Sequence, residues 1–181
     1  FNCFGCKEPE VADIPPMTPQ ERRALLKATE AFKASPPTLP PDMTLSLPQP
    51  AIVWITRGGL HVQDAARYGF GYSKRLHRVI MPVYLDGELA AVQARALDFP
   101  QQQPKYLGQV WDRERPVFIA GEQHGETLVL TEDILSAIRV AKVCPAWSLM
   151  GTNLLQSVTA RISRSKFTHI ALCLDDDKAG R

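Results

Sequence analysis

Apolar residues in this chain fall into short runs separated by polar punctuation, and the spacing within each run predicts its element. Leu128-Val129-Leu130 is too short for a helix and reads as a strand. It leads through Thr131-Glu132-Asp133 into Ile134, Leu135, Ile138 and Ala141, which recur at helical spacing. Ile170-Ala171-Leu172-Cys173-Leu174 reads as a buried parallel strand. Residues 78–85 and 89–97 read as two strands joined by Asp86-Gly87, a hairpin signal because both residues tolerate positive φ. Pro82 marks the first of them as an edge or bulged strand. A further strand is expected over 115–120. Ile52, Trp54, Ile55 and Leu60 predict a short helix ending at Gly58-Gly59, and residues 62–68 a second one closed by Gly69. Upstream, Thr18-Pro19-Gln20-Glu21 is a capping box with proline at the first helical position. The helix it opens runs to about Ala34 with Leu25, Leu26, Ala28 and Phe32 as its apolar stripe. Pro36, Pro37, Pro40, Pro41, Pro48 and Pro50 then crowd residues 35–50, which predicts an extended spacer and the clearest domain boundary. The expected fold class is α/β: a mixed α+β unit followed by a parallel sheet with flanking helices.

Composition narrows this picture only a little. With 181 residues, 45% of them hydrophobic, the chain can build one compact domain or two small ones. A net charge of +2 does not by itself announce a nucleic-acid partner. No apolar run approaches the ~20 residues of a membrane-spanning helix, and no signal-peptide pattern opens the chain. The chain starts at Phe1 inside a motif and stops just after another, so it reads as a piece of a longer protein truncated at both ends, with the cytoplasm as the default setting. Cys144 and Cys173 stand in apolar surroundings and read as small core residues. Cys3 and Cys6 form a Cys-x-x-Cys that is either a redox pair or half a zinc site. Gly5 permits the tight turn of a zinc knuckle, but two further ligands would have to lie upstream of Phe1.

The candidate chemistry sits at strand ends. Asp175 and Asp177 share one side of an extended chain at the C-terminal tip of the last apolar run, where ligand crevices of open α/β sheets lie. Close carboxylates stay ionised together when a cation neutralises them, and sparse hard oxygen donors suit Mg²⁺. A solvated acidic turn is the plain alternative. Glu132 occupies the corresponding strand-to-helix junction. Arg78, Arg95 and Lys105 fall on or beside the two hairpin strands, either as a phosphate-binding strip or as solvated charges at a sheet edge.

A Glu at one strand tip with the tail Asp175-x-Asp177-x-Ala179-Gly180-Arg181 at a later one resembles the Toprim fold of DnaG-type primases and topoisomerases. The middle of the chain resembles the primases more closely. Trp54-Ile55-Thr56-Arg57-Gly58-Gly59-Leu60 and Ala66-Arg67-Tyr68-Gly69-Phe70-Gly71-Tyr72 are similar to that family's RGL…FGIGY run. Residues 78–83 resemble its R-x-MFPI strand, residues 93–97 its GGR-x-L strand, and Pro104-Lys105-Tyr106-Leu107 its PKYL element. The resemblance implies residues 1–17 as the remnant of a zinc ribbon, 18–50 as helix and linker, 51–116 as the N-terminal part of a primase core, and 117–181 as an incomplete Toprim domain. The linker and compact core look closest to bacteriophage primases. The implied activity is a DNA primase, a nucleotidyltransferase making short RNA primers on single-stranded DNA. Glu132, Asp175 and Asp177 would hold Mg²⁺ or Mn²⁺, Arg78, Arg95 and Lys105 would bind nucleotide and nucleic acid, and Cys3 and Cys6 would hold Zn²⁺ in the longer protein. The implied partners are template DNA, ribonucleoside triphosphates, the RNA primer and a replicative helicase, with no membrane. The alternatives are another Toprim enzyme, a nuclease or topoisomerase, and a non-catalytic DNA-binding fragment.

Overall fold

The structure, a computed structural model, describes residues 18–34, 36–98, 101–110 and 116–175. Its elements in chain order are α1 (Pro19–Ala34), β1 (Met43–Thr44), α2 (Gln49–Arg57), α3 (Val62–Arg67), β2 (Gly71–Ser73), β3 (Arg78–Leu85), β4 (Glu88–Ala96) and β5 (Tyr106–Val110), then β6 (Phe118–Ala120), β7 (Thr127–Thr131), α4 (Ile134–Val140), β8 (Ala146–Ser148), α5 (Gln156–Ser163) and β9 (His169–Cys173). They build two sheets. The first is antiparallel in the order β1-β2-β3-β4-β5, and the second runs β6-β8-β7-β9.

The long hairpin organises the first sheet. Asp86 (φ 53°) and Gly87 (φ 89°) turn the chain with both residues left-handed, as a two-residue hairpin loop requires. Pro82 lies in an interior strand, but β2 pairs with β3 only as far as Ile80, so the proline sits where that side is open. A register shift at Val83/Tyr84 follows immediately. Alternation sends Val79, Met81, Val83 and Ala91 to one face and Ile80, Val92, Ala94 and Leu107 to the other.

Each face has its own cover. Phe32 of α1 packs on Ile80, Val92, Ala94 and Leu107, a burial that contributes about 1.5–3 kcal/mol for the Phe32 side chain. Gln109 on β5 locks this layer: its Nε2 donates to the Phe32 carbonyl at 2.6 Å and its Oε1 accepts from Thr38 N at 3.2 Å. Asp42 accepts from Ser73 Oγ and from Arg75 N at 2.8 Å. The Pro-rich segment, expected as an extended spacer, is thus tied down along the sheet through Thr38 and Asp42.

The opposite face meets the second sheet. Ala51 and Ile55 of α2, Ala65 of α3, the hairpin face, Phe118, Ala120, Ala146 and the α4 residues Ile134, Leu135, Ala137 and Ile138 form one hydrophobic cluster. Glycines permit the close approach of α2 to α4: a Cβ on Gly58 would lie 2.5 Å from Leu135 Cδ2, and one on Gly59 (φ 77°) 2.9 Å from Arg139 Cδ. At the surface, ion pairs link α3 to the residues just past α4 and the hairpin tip to α5. Lys142 Nζ lies 2.9 Å from Asp64 Oδ2, and Arg161 Nη2 lies 2.6 Å from Asp86 Oδ2 at the hairpin tip.

In the second sheet β7 runs parallel to both β8 and β9, while β6 is antiparallel at one edge. The sheet is therefore mixed rather than parallel throughout. Its outer face packs Leu128, Leu130, Trp147 and Leu149 on Val158 of α5. The expectation of a buried last strand does not hold. β9 is the other edge, all five of its residues are exposed, and Leu172 reaches 67%. Nothing among the described residues covers either of its faces. For the same reason Cys173 is exposed rather than a core residue, and Cys144 is only half-buried, its Sγ 3.3 Å from the Thr127 carbonyl. No helix among the described residues is long and apolar enough to cross a membrane.

Candidate nucleotide and nucleic-acid site

Glu132 is the first residue past β7, and its backbone is firmly held. Its carbonyl accepts from Gly151 N at 3.0 Å and from Ser148 Oγ at 3.2 Å, so the exit of β8 buttresses the tip of β7. The side chain is half-buried and Oε2 is out of contact with solvent. Asp133 next to it is the N-cap of α4, accepting from Ser136 N at 3.0 Å and Ser136 Oγ at 2.5 Å. That hydrogen bonding commits Asp133 to the turn that aims Glu132.

Asp175 stands two residues past β9, whose last pairing is Cys173 with Thr131 of β7. Neighbouring strands lie ~4.8 Å apart, so Glu132 and Asp175 share the C-terminal rim of adjacent parallel strands. Asp175 is exposed. Asp177, Cys3 and Cys6 lie outside the described residues. Among the described residues no three His, Cys, Asp or Glu side chains gather closely enough to hold a metal ion; Glu132 and Asp175 provide a pair of strand-end carboxylates.

The basic residues divide between the faces of the first sheet. Arg95 is directly opposite Tyr106 of β5 and Val79 of β3, hence on the face turned toward the second sheet. Its guanidinium carbon lies 5.2 Å from the Tyr106 ring centroid and 5.7 Å from that of Trp54 on α2. Its Nη1 also donates to the Ala96 carbonyl. Lys105 is exposed, with Nζ 5.6 Å from the Tyr106 ring. Arg78 goes the other way. It pairs with Ala96, faces the α1 side and is completely buried. Its Nη1 lies 3.3 Å from the carbonyls of both Ala94 and Lys105, while Nε and Nη2 have no hydrogen-bond partner among the described residues. Burial, then the charge of Arg95, lowers its pKa to about 10. The expected surface strip therefore contains Arg95 and Lys105, with Arg78 beneath the sheet: a one-residue offset in register reverses the face.

Tyr106 connects the two sheets electrostatically. Burial raises its phenol pKa, Arg95 lowers it by charge and by a hydrogen bond, and the charges of Asp133 and Asp175 raise it. The charges of Asp133 and Asp175 thus reach Tyr106, which lies on the face of the first sheet turned toward the second. Neither Trp54 nor Tyr106 was singled out from sequence as a site residue. The only available signal was that Tyr106 directly follows Lys105.

The same arrangement of sheets occurs in three solved structures. A DnaG primase catalytic domain bound to single-stranded DNA superposes with a TM-score of 0.60 at 16% identity, over 90% of this chain and 64% of that one. The E. coli primase catalytic core gives 0.58 at 17% identity, over 72% of this chain and 56% of that one. The fold is that of a DnaG-type primase catalytic core. The primase fragment of the bacteriophage T7 primase-helicase protein shares it too, with a TM-score of 0.54 at 17% identity over 84% of this chain and 68% of that one. The chain spans less than two thirds of the first two primase structures. No family model matches the sequence, and no curated protein matches it.

Proposed function

We propose that this chain has the catalytic core of a DNA primase and takes part in nucleotidyl transfer from ribonucleoside triphosphates onto a primer paired with single-stranded DNA. One observation carries the reading. On a primase-core fold, Glu132 and Asp175 stand at the C-terminal ends of adjacent parallel strands of one sheet, and the other sheet turns the face bearing Arg95 and Tyr106 toward it. A replicative helicase is the partner such an enzyme would serve.

Glu132 and Asp175 offer hard oxygen donors, and one Glu132 oxygen is already withdrawn from water, so the donor set fits a divalent cation of the Mg²⁺ kind. Such an ion, held by Glu132, Asp175 and Asp177, would neutralise charge on the transferring phosphoryl group and favour ionisation of the attacking hydroxyl. The chain's own residues do the positioning. Arg95 and Lys105 bind phosphate oxygens of the triphosphate and the nucleic-acid backbone, which sets register without reading bases. In the reaction the primer 3′-oxygen bonds to the α-phosphorus, and the bond to the departing pyrophosphate breaks. Most of the catalytic gain comes from alignment and charge compensation.

The test is synthesis of short labelled RNA by the 181-residue chain on single-stranded DNA with ribonucleotides and Mg²⁺ or Mn²⁺. Asp175→Ala and Glu132→Gln are each expected to reduce synthesis at least about 100-fold while the fold persists. Full synthesis by either variant would refute the assignment. Template binding without synthesis in the wild-type chain would favour a non-catalytic DNA-binding role.

A further inference from the structure

Arg95 lies within cation–π distance of two aromatic rings that come from different elements. Tyr106 is its direct cross-strand partner on β5, and Trp54 reaches it from α2. The guanidinium carbon lies 5.2 Å from one ring centroid and 5.7 Å from the other, both within cation–π range. We propose that Trp54 is a positioning residue: with Tyr106 it clamps the Arg95 guanidinium and thereby fixes the cation that meets the phosphates. This rests on the phosphate-binding reading of the site given above.

The physical case starts from the arginine itself. A free arginine side chain samples many rotamers, and ordering it on ligand arrival weakens binding. Two rings against the planar group remove that freedom beforehand. A guanidinium directs its N–H groups within its own plane, the geometry in which phosphate oxygens accept them, so fixing that plane fixes the donors. The Trp54 ring is itself placed by its helix. Ala51 and Ile55 of α2 are fully buried, and Gly58 and Gly59 let the end of α2 press against Leu135 and Arg139 of α4. Trp54 is only half-buried and packs at the margin of the shared core. A purely core-filling role would make its loss independent of Arg95, whereas a clamp makes the two losses overlap.

The experiment is a double-mutant cycle on the 181-residue chain, reading the affinity of inorganic tripolyphosphate by calorimetry. Trp54→Leu is expected to weaken binding about 10-fold and Trp54→Phe by less than about 3-fold, since a phenyl ring keeps much of the cation–π attraction. In an Arg95→Gln background Trp54→Leu should have no further effect. Equal weakening in both backgrounds, or none in either, would overturn the proposal. The Arg95 Hε resonance gives a second readout that does not depend on binding. An upfield ring-current shift in the wild type that diminishes in Trp54→Leu supports the clamp, and its absence in the wild type, or its persistence unchanged in the variant, overturns it. Failure of the wild-type chain to bind tripolyphosphate would overturn the phosphate site itself, and so separates that failure from failure of the clamp.

Discussion

Arg78 and Arg95, adjacent across the β3–β4 ladder, project from opposite faces of the same sheet. Arg78 is opposite Ala96 on the α1 side, and Arg95 is opposite Val79 on the side of the second sheet. The two cations therefore do different work. Arg78 is a buried charge with two guanidinium nitrogens lacking hydrogen-bond partners among the described residues, a poor contributor to stability. Arg78→Met is expected to leave unfolding free energy within about 1 kcal/mol of wild type, or to raise it. It should also leave tripolyphosphate affinity within about 3-fold, in contrast to Arg95→Gln. Urea unfolding and calorimetry check the two halves.

The same residue makes a pH prediction. Its folded pKa is about 10, well below the ordinary range of an arginine in the unfolded chain. Above about pH 10 the unfolded state binds more protons, so this group's contribution to stability rises with pH. The stability of the wild type relative to Arg78→Met should therefore increase between about pH 9 and about pH 10.5. Paired urea melts at the two pH values measure it, and a flat or falling difference would contradict the burial argument.

Asp133 caps α4 and also lies close enough to raise the Tyr106 phenol pKa. Asparagine caps a helix about as well as aspartate but carries no charge. Asp133→Asn is therefore expected to keep stability while bringing Tyr106 ionisation down toward the ordinary range. Asp133→Ala should in addition cost about 1–2 kcal/mol. Absorbance titration against a Tyr106→Phe reference, together with thermal unfolding, distinguishes the two substitutions.

Gly59 holds a φ of 77° at the end of α2 and faces Arg139 at close range, while Gly87 holds a φ of 89° at an open hairpin tip. Alanine at either position meets the left-handed penalty of about 1–2 kcal/mol. Only Gly59→Ala must also displace a neighbouring side chain. It is expected to be the more destabilising of the two and, by shifting α2, the one that weakens tripolyphosphate binding. Denaturation and binding measured on both variants test this.

Asp64 accepts from His61 N at 2.9 Å and pairs with Lys142. The hydrogen bond from the His61 backbone, then Lys142, lowers its pKa. A carboxylate with a depressed folded pKa contributes stability above its unfolded value, about 3.9, and loses it as pH falls through the folded value. Asp64→Asn should therefore flatten the acid limb of the stability profile below about pH 4. An unchanged acid limb in the variant would show that the ion pair and cap contribute nothing there.

Local signals in the sequence located most of the elements that carry the site. The Asp86-Gly87 turn, the Thr18 capping box and the strand–Glu132–helix junction are each specified by a few neighbouring residues, and each forms as its chemistry dictates: Thr18 N lies 2.7 Å from Glu21 Oε2. What depended on distant partners was illegible. β8 is three residues, Ala146-Trp147-Ser148, and becomes a strand because β6 and β7 flank it. The face chosen by Arg78 follows from a register that no local pattern fixes. β9 has the composition of a buried strand, yet burial requires a covering layer, and none of the described elements supplies one. The Trp54–Arg95–Tyr106 contact joins three elements whose proximity is purely tertiary.

The hydrophobic cluster backing both sheets has a mechanical consequence. Residues from α2, the hairpin strands, α4 and β6 interlock in it, and close-packed interiors compress very little. The gap between the carboxylate rim and the guanidinium opposite it is therefore a fixed jaw width, set by side-chain volumes some distance from any nucleotide. Enlarging or shrinking one of those side chains, Ile138 for example, would recalibrate the jaw without touching a single polar group in it.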